Sequence, residues 1–371
     1  MSSAGNEFEV EDFVPFCHWP SVQEELEDGY EMDLEPILCD EEWSRACKVK
    51  EMERVQRKKD DKEREEKEKE RRAKAHKNVR DSIIEYDPKA GCEVFTRFFL
   101  RDFSVFDINE KSAIPAMRYT DSKYRDEFGL EDSANILSVS VVSSDEGFPV
   151  NVYGSIIARD SIDYKCIDLF HRHRDDSQSI NLEGGTLVLT GPGRGLVLVD
   201  FIYLEIDLKI KKDGVYPDKQ FSKGLITIDG RVLSREKDVV VTSETFDSFL
   251  STLVVRFATV LKAVEATFEI NLIEGSFNGK ITAGILGIDE AIVIHDSEAD
   301  GGVQRDGIIK LHRRVMTICQ SNRGVKLHFE NKSYATTYFN PRRTGSDEKE
   351  FRCGCGRFFV KVVWSLMDSR P

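Results

Sequence analysis

The run LVLVDFIYLEIDLKIK, residues 196–211, leaves little choice of fold. Leu204, Ile206, Leu208 and Ile210 fall on one parity, while Tyr203, Glu205, Asp207 and Lys209 fall on the other. Side chains project alternately from a strand, so this pattern predicts a ribbon with one buried and one solvent-facing side. Similar runs recur at 136–142, 149–158, 224–228, 249–261, 291–295, 325–329 and 358–364. Between them lie SSDEGFP, TGPGRG, KKDGVYPDK and DSEADGG, which supply the glycine, proline and aspartate that turns require. About ten to twelve short strands at such spacing predict a mostly β chain, a single large antiparallel sandwich or barrel-like domain over 81–371. No internal repeat is evident.

The stretch VEATFEINLIEGSFNGKITA (264–283) tests the same logic. Val264, Ala266, Phe268, Ile270 and Leu272 share one parity; on a helix they would scatter round the axis. A strand is therefore predicted, with Glu265 pointing outward. Asn278-Gly279 suits a tight reversal, with ITAGILGI as the return strand.

The first 42 residues hold fourteen Asp and Glu and no Lys or Arg, mixed with Phe8, Phe13, Phe16, Trp19 and Tyr30. Self-repulsion with few aliphatics predicts a disordered acidic tail. The 53 remaining acids balance the 53 bases, so the body of the chain offers no overall attraction to nucleic acid or anionic lipid. Between Glu51 and Lys77, 21 of 27 residues are charged, with no glycine or proline. Pairs such as Asp60–Arg64, Glu63–Lys67 and Glu68–Arg72 sit at the i,i+4 spacing, each contributing about 0.2–0.5 kcal/mol. A solvated helix is predicted over 43–80, acting as a spacer. No apolar a/d repeat runs through Gln56–Arg72, so a coiled coil is not expected there. The basic stretch 54–80 is a weak candidate for nucleic acid, and protein is the expected partner. The amino terminus lacks a basic start followed by an apolar core, and no apolar span of membrane length occurs. Eight scattered cysteines suit reduced thiols. The expected setting is cytosol or nucleus, without secretion or a membrane.

Chemistry-bearing motifs are sparse. HRHRDD (171–176) gathers His171, Arg172, His173 and Arg174 in a loop suited to contacting an anion or a partner. His171 and His173 alone do not make a metal site, because no further ligands are identifiable. TGPGRG (190–195) carries Arg194, a further anion-contact candidate, but no Lys-Ser/Thr or helix follows as a phosphate loop requires. A hairpin-type reversal is expected instead. Cys353-Gly354-Cys355-Gly356 is a lone C-x-C without a second pair at zinc spacing, and reads as a turn. His295, His312 and His328 read as structural. No catalytic set, metal or cofactor is predicted.

Three segments taken together, 136–170, 189–211 and 264–283, resemble a plant domain of unknown function that is expanded in grasses. That domain also forms the C-terminal half of cereal jasmonate-induced ribosome-inactivating proteins. The resemblance covers roughly 95–366 and implies a β-rich domain from a grass, without an assigned activity. The glycosidase half of those cereal proteins uses a Glu-Ala-x-Arg helix. Here Glu265-Ala266-Thr267-Phe268 has phenylalanine in place of the arginine that would stabilise a departing purine. N-glycosidase activity is therefore not expected. The reading is a non-enzymatic binding or regulatory module, with a role in stress or defence. The alternatives are a hydrolase or glycosidase with a site in the β domain, and a regulator that recruits partners through its acidic aromatic tail.

Overall fold

The computed structural model describes residues 41–125, 129–212, 214, 216–233, 236–298, 304–321 and 324–368. Apart from Glu41 and Glu42, the acidic tail lies outside them. Two compact units are distinguished, Met1–Glu66 and Lys67–Pro371.

Helix α1 runs Glu41–Ser82. In the first unit it carries Arg45–Glu41 at 2.8 Å, Arg54–Glu51 at 3.6 Å, and Arg64 on Asp61 rather than on Asp60. Asp60 instead accepts from Gln56. In the second unit Glu68 takes both Arg71 and Arg72, which pull its carboxyl down to about 2. The end of the helix is not simply solvated. His76 stacks on Phe103 at 5.4 Å, and Val79 packs against Ile83, Phe103 and Ile108. No helix among the described residues is long and apolar enough to cross a membrane.

A small hairpin follows, β1 (Ile84–Asp87) with β2 (Cys92–Phe95). The next strands in chain order are β3 (Glu131–Ser144), β4 (Val150–Arg159), β5 (Ile167–Arg172) and β6 (Gln178–Ile180). Two short pieces, β7 (Gly185–Thr186) and β8 (Leu196–Val197), precede β9 (Phe201–Ile210) and β10 (Lys219–Asp229). Then come β11 (Val239–Ser248), β12 (Ser251–Phe277), β13 (Lys280–Ile285), β14 (Ala291–Asp296) and β15 (Gln304–Ile308). The chain closes with β16 (Val315–Cys319), β17 (Val325–Glu330), β18 (Tyr334–Phe339), β19 (Gly345–Cys353) and β20 (Gly356–Ser365).

Among the described residues these strands build open antiparallel sheets, and none closes into a barrel. One has the order β10-β9-β4-β5, with β6 on β4. Another has the order β14-β13-β17-β18. Both pack against a large sheet ordered β19-β20-β12-β3-β7. The 27-residue β12 serves two cores, giving Leu253, Val255 and Phe257 to one and Val264, Ala266, Phe268, Ile270 and Leu272 to the other. Between these sets Lys262 takes a left-handed φ of 47°, where the register against β3 slips between Val260 and Ala263. Each fully buried aliphatic or phenylalanine side chain contributes about 1.5–3 kcal/mol.

Two turn expectations are corrected. Asn278-Gly279 does not fold β13 back on β12; β13 pairs with β14 and β17 in the neighbouring sheet. Gly279 is needed for closeness, because a Cβ there would lie 1.9 Å from the Glu330 carbonyl. TGPGRG is not a reversal either. The pieces on either side of it, β7 and β8, both run antiparallel along β3, and the loop between them is bonded to the Leu169 carbonyl of β5.

Candidate functional site

The outer face of the β10-β9-β4-β5 sheet carries a cleft of about 420 Å³. Cross-strand register sets its floor in two rows, His171–Ser155–Asp207–Lys223 and Asp168–Ile157–Glu205. The preceding segment covers it with Glu85, Arg97, Asn109 and Lys111.

Most charges in the cleft are paired, while Asp207 meets only a neutral amide. Glu205 accepts from Arg97 Nε at 2.8 Å, Arg159 Nε at 2.6 Å and the Phe98 backbone N–H at 2.9 Å. Arg159 is fully buried and Glu205 is nearly so. Lys111 donates to Asp168 at 2.6 Å, and that carboxylate raises the lysine's pKa. Lys223 pairs with Glu85, and Asp207 accepts from Gln220 at 2.9 Å. The buried Cys166 thiol, pushed up by desolvation, donates to the Ile108 carbonyl at 3.4 Å. That carbonyl also receives Arg97 and Arg159.

Strand alternation predicts both Glu205 and Glu265 on the solvent side. Both are buried, because segments without regular alternation cover those faces. Glu265 accepts from the backbone N–H of Gly195 and of Met117, each at 2.7 Å. It borders a void of only about 10 Å³, too small for a nucleoside.

The residues expected in a loop at 171–176 divide: His171 and Arg172 end strand β5, and only His173 and Arg174 lie in the turn that follows it. His171 is exposed at the cleft rim, with the ring of His173 edge-on at 4.9 Å. Arg172 pairs with Asp176 at 3.1 Å, and Arg174 with Asp218 at 2.7 Å. Arg194 stands elsewhere. It is 3% exposed and donates from Nη2 to Asp160 at 2.9 Å and from Nη1 to the Gly195 carbonyl at 2.9 Å. Among the described residues no three His, Cys, Asp or Glu side chains form a metal-ligand group. Sequence reasoning missed Arg97, Asn109 and Lys111, which lie in irregular chain where periodicity carries no signal.

The strand order over 133–362 coincides with a match to a family model, the domain of unknown function DUF6598. The chain belongs to that family. In the DUF6598 domain of this protein both the cleft floor and the buried Glu265 lie within the matched residues, whereas Arg97, Asn109 and Lys111 precede them. No curated protein matches the sequence. Among solved structures, the two tandem C2 domains of extended-synaptotagmin 2 are similar at a TM-score of 0.22 and 7% identity. That match covers 71% of this chain and 99% of the other, and carries no argument at that score.

Proposed function

We propose that this DUF6598 protein is a non-enzymatic β-rich binding module that takes a protein partner. The observation that carries the reading is the closure of the cleft's charges on one another: Arg97 and Arg159 on Glu205, Lys111 on Asp168, Lys223 on Glu85. Groups paired in this way offer a partner a fixed pattern of donors and acceptors. The His171–Arg174 segment, the end of β5 and the start of the turn after it, extends that pattern at the rim. We place the protein in the stress or defence physiology of a grass, in cytosol or nucleus, with α1 as a charged spacer.

The test pairs a panel of ester, glycoside and phosphate substrates with capture of partners from plant extract by the full chain. No turnover is expected. Capture of a defined protein by the wild type should weaken on Lys111→Gln or His171→Ala. Turnover that Asp168→Asn abolishes would replace the reading with a hydrolase, since Asp168, Asp207 and His171 open into one cleft.

A further inference from the structure

The outermost strand of the four-stranded sheet, β18, reads Tyr-Ala-Thr-Thr-Tyr-Phe. It has high strand propensity and no charge, glycine or proline within it. One side pairs with β17; among the described residues no strand pairs with the other side. Edges of this composition recruit further strands unless something guards them.

The direction of the free backbone groups can be read from one contact. The Tyr338 carbonyl receives the ammonium of Lys349, so that peptide faces away from β17. In an antiparallel ladder, residues that bond one neighbour alternate with residues that bond the other. Ala335, Thr337 and Phe339 therefore bond β17, and Tyr334 and Thr336 share the outward direction of Tyr338. Lys349 also lies over the Phe339 ring at 4.8 Å. Its ammonium is the guard of this edge in the free protein.

The surroundings specify what could replace that guard. Tyr334 and Tyr338 are 81% and 47% exposed on the outer face. Thr336 between them is held by His328 Nδ1 at 3.0 Å. Lys326 stands opposite Tyr338, and Lys332 sits in the turn between β17 and β18. Lys326, Lys332 and Lys349 are exposed and have no acidic partner among the described residues. The acids of β19 are already taken: Asp347 by Arg342, Glu348 by Lys361 at 3.2 Å, and Glu350 by Arg357 at 3.5 Å. Glu330, opposite Tyr334, is the acid that remains on this face. A second copy added at the edge would set lysines against lysines. A strand carrying carboxylates would meet Lys349 at the edge and Lys332 at the turn, with Lys326 and Glu330 one strand further in and Lys326 long enough to reach across the outer face.

We propose that the free edge of β18 accepts an extended peptide with acidic side chains at alternate positions, as an added strand. The N–H groups of Tyr334 and Thr336 donate to its carbonyls, and their carbonyls accept its N–H groups. Lys349 leaves the Tyr338 carbonyl to pair with a carboxylate. Backbone pairing supplies affinity, and charge with the two tyrosines supplies selection. This surface is separate from the cleft, so either can fail without the other.

Hydrogen exchange on the full chain tests the proposal, with a decapeptide alternating valine and glutamate as probe and its valine–lysine counterpart as control. The glutamate peptide should slow exchange within 334–339, and about 0.5 M NaCl should weaken that effect. Lys326→Glu with Lys332→Glu should raise Kd by about tenfold or more. Thr336→Pro removes an outward N–H without touching the β17 ladder, and should abolish binding with the near-UV spectrum unchanged. If Thr336→Pro alters the spectrum, the lysine pair decides. Three results would each overturn the proposal: no protection within 334–339, equal protection by the lysine peptide, or protection that appears on concentrating the protein alone.

Discussion

The carboxylate of Glu265 accepts the backbone N–H of Gly195 at 2.7 Å, joining β12 to a loop 70 residues earlier in the chain. Burial pushes this carboxyl above its ordinary 4.5, against the opposing pull of the Gly195 and Met117 N–H groups and Arg194. A raised carboxyl holds its proton more readily when folded, so its contribution is complete at low pH and is lost as pH rises through the folded value. Glu265→Gln removes the titration, while setting an NH₂ against one N–H at a constant cost of about 1–3 kcal/mol. Urea unfolding from about pH 4 to about pH 7 should show wild type losing stability relative to the variant. Parallel curves would exclude the assignment.

Removing Glu205 should be severe. Glu205→Ala leaves Arg159 buried with no countercharge and Arg97 with one partner fewer, at a cost of about 3–5 kcal/mol in denaturant unfolding. A loss below about 1 kcal/mol would mean that the cleft floor is far wetter than its burial indicates.

Asp218 provides the opposite pH signature. The Arg174 guanidinium, the Tyr153 hydroxyl and the Lys212 N–H together hold its carboxyl well below the ordinary 3.8. Such a group stabilises the fold above its unfolded value, and that stability is lost as pH falls through the folded one. Asp218→Asn should therefore be less stable near neutrality, with the gap closing below about pH 3. An unchanged gap across the acid limb counts against the pairing.

Gly154 lies in β4 with φ +120°, and a Cβ there would fall 2.2 Å from the Asp207 carbonyl. Gly154→Ala should separate β4 from β9 and cost about 1–3 kcal/mol, read as a lowered Tm. The same change should disturb the cleft row through Ser155 and Asp207. A variant as stable as wild type would show that the two strands can part without penalty.

The strands were legible because alternation follows directly from backbone geometry, and the inner faces of β9 and β12 are as the sequence predicts. Their outer faces were not. A polar residue at an outward parity reads the same whether water or another segment covers it, and Glu205 and Glu265 are covered. The covering chain around Arg97, Lys111 and Met117 has no period, so only the folded structure brings it over the sheet. Turn chemistry misled for a related reason. Asn278-Gly279 signals a change of direction, but not which strand receives the chain afterwards. The HRHRDD segment and its internal Arg172–Asp176 pair were visible by composition, whereas Asp218, the partner of Arg174, lies 44 residues further on.

The length of β12 has a mechanical consequence. Because one unbroken ribbon is wall to both apolar interiors, neither half can loosen without pulling on hydrogen bonds in the other. Loosening of the core beside Leu253 is therefore expected to be felt past Lys262 at Leu272, through the strand that both interiors share.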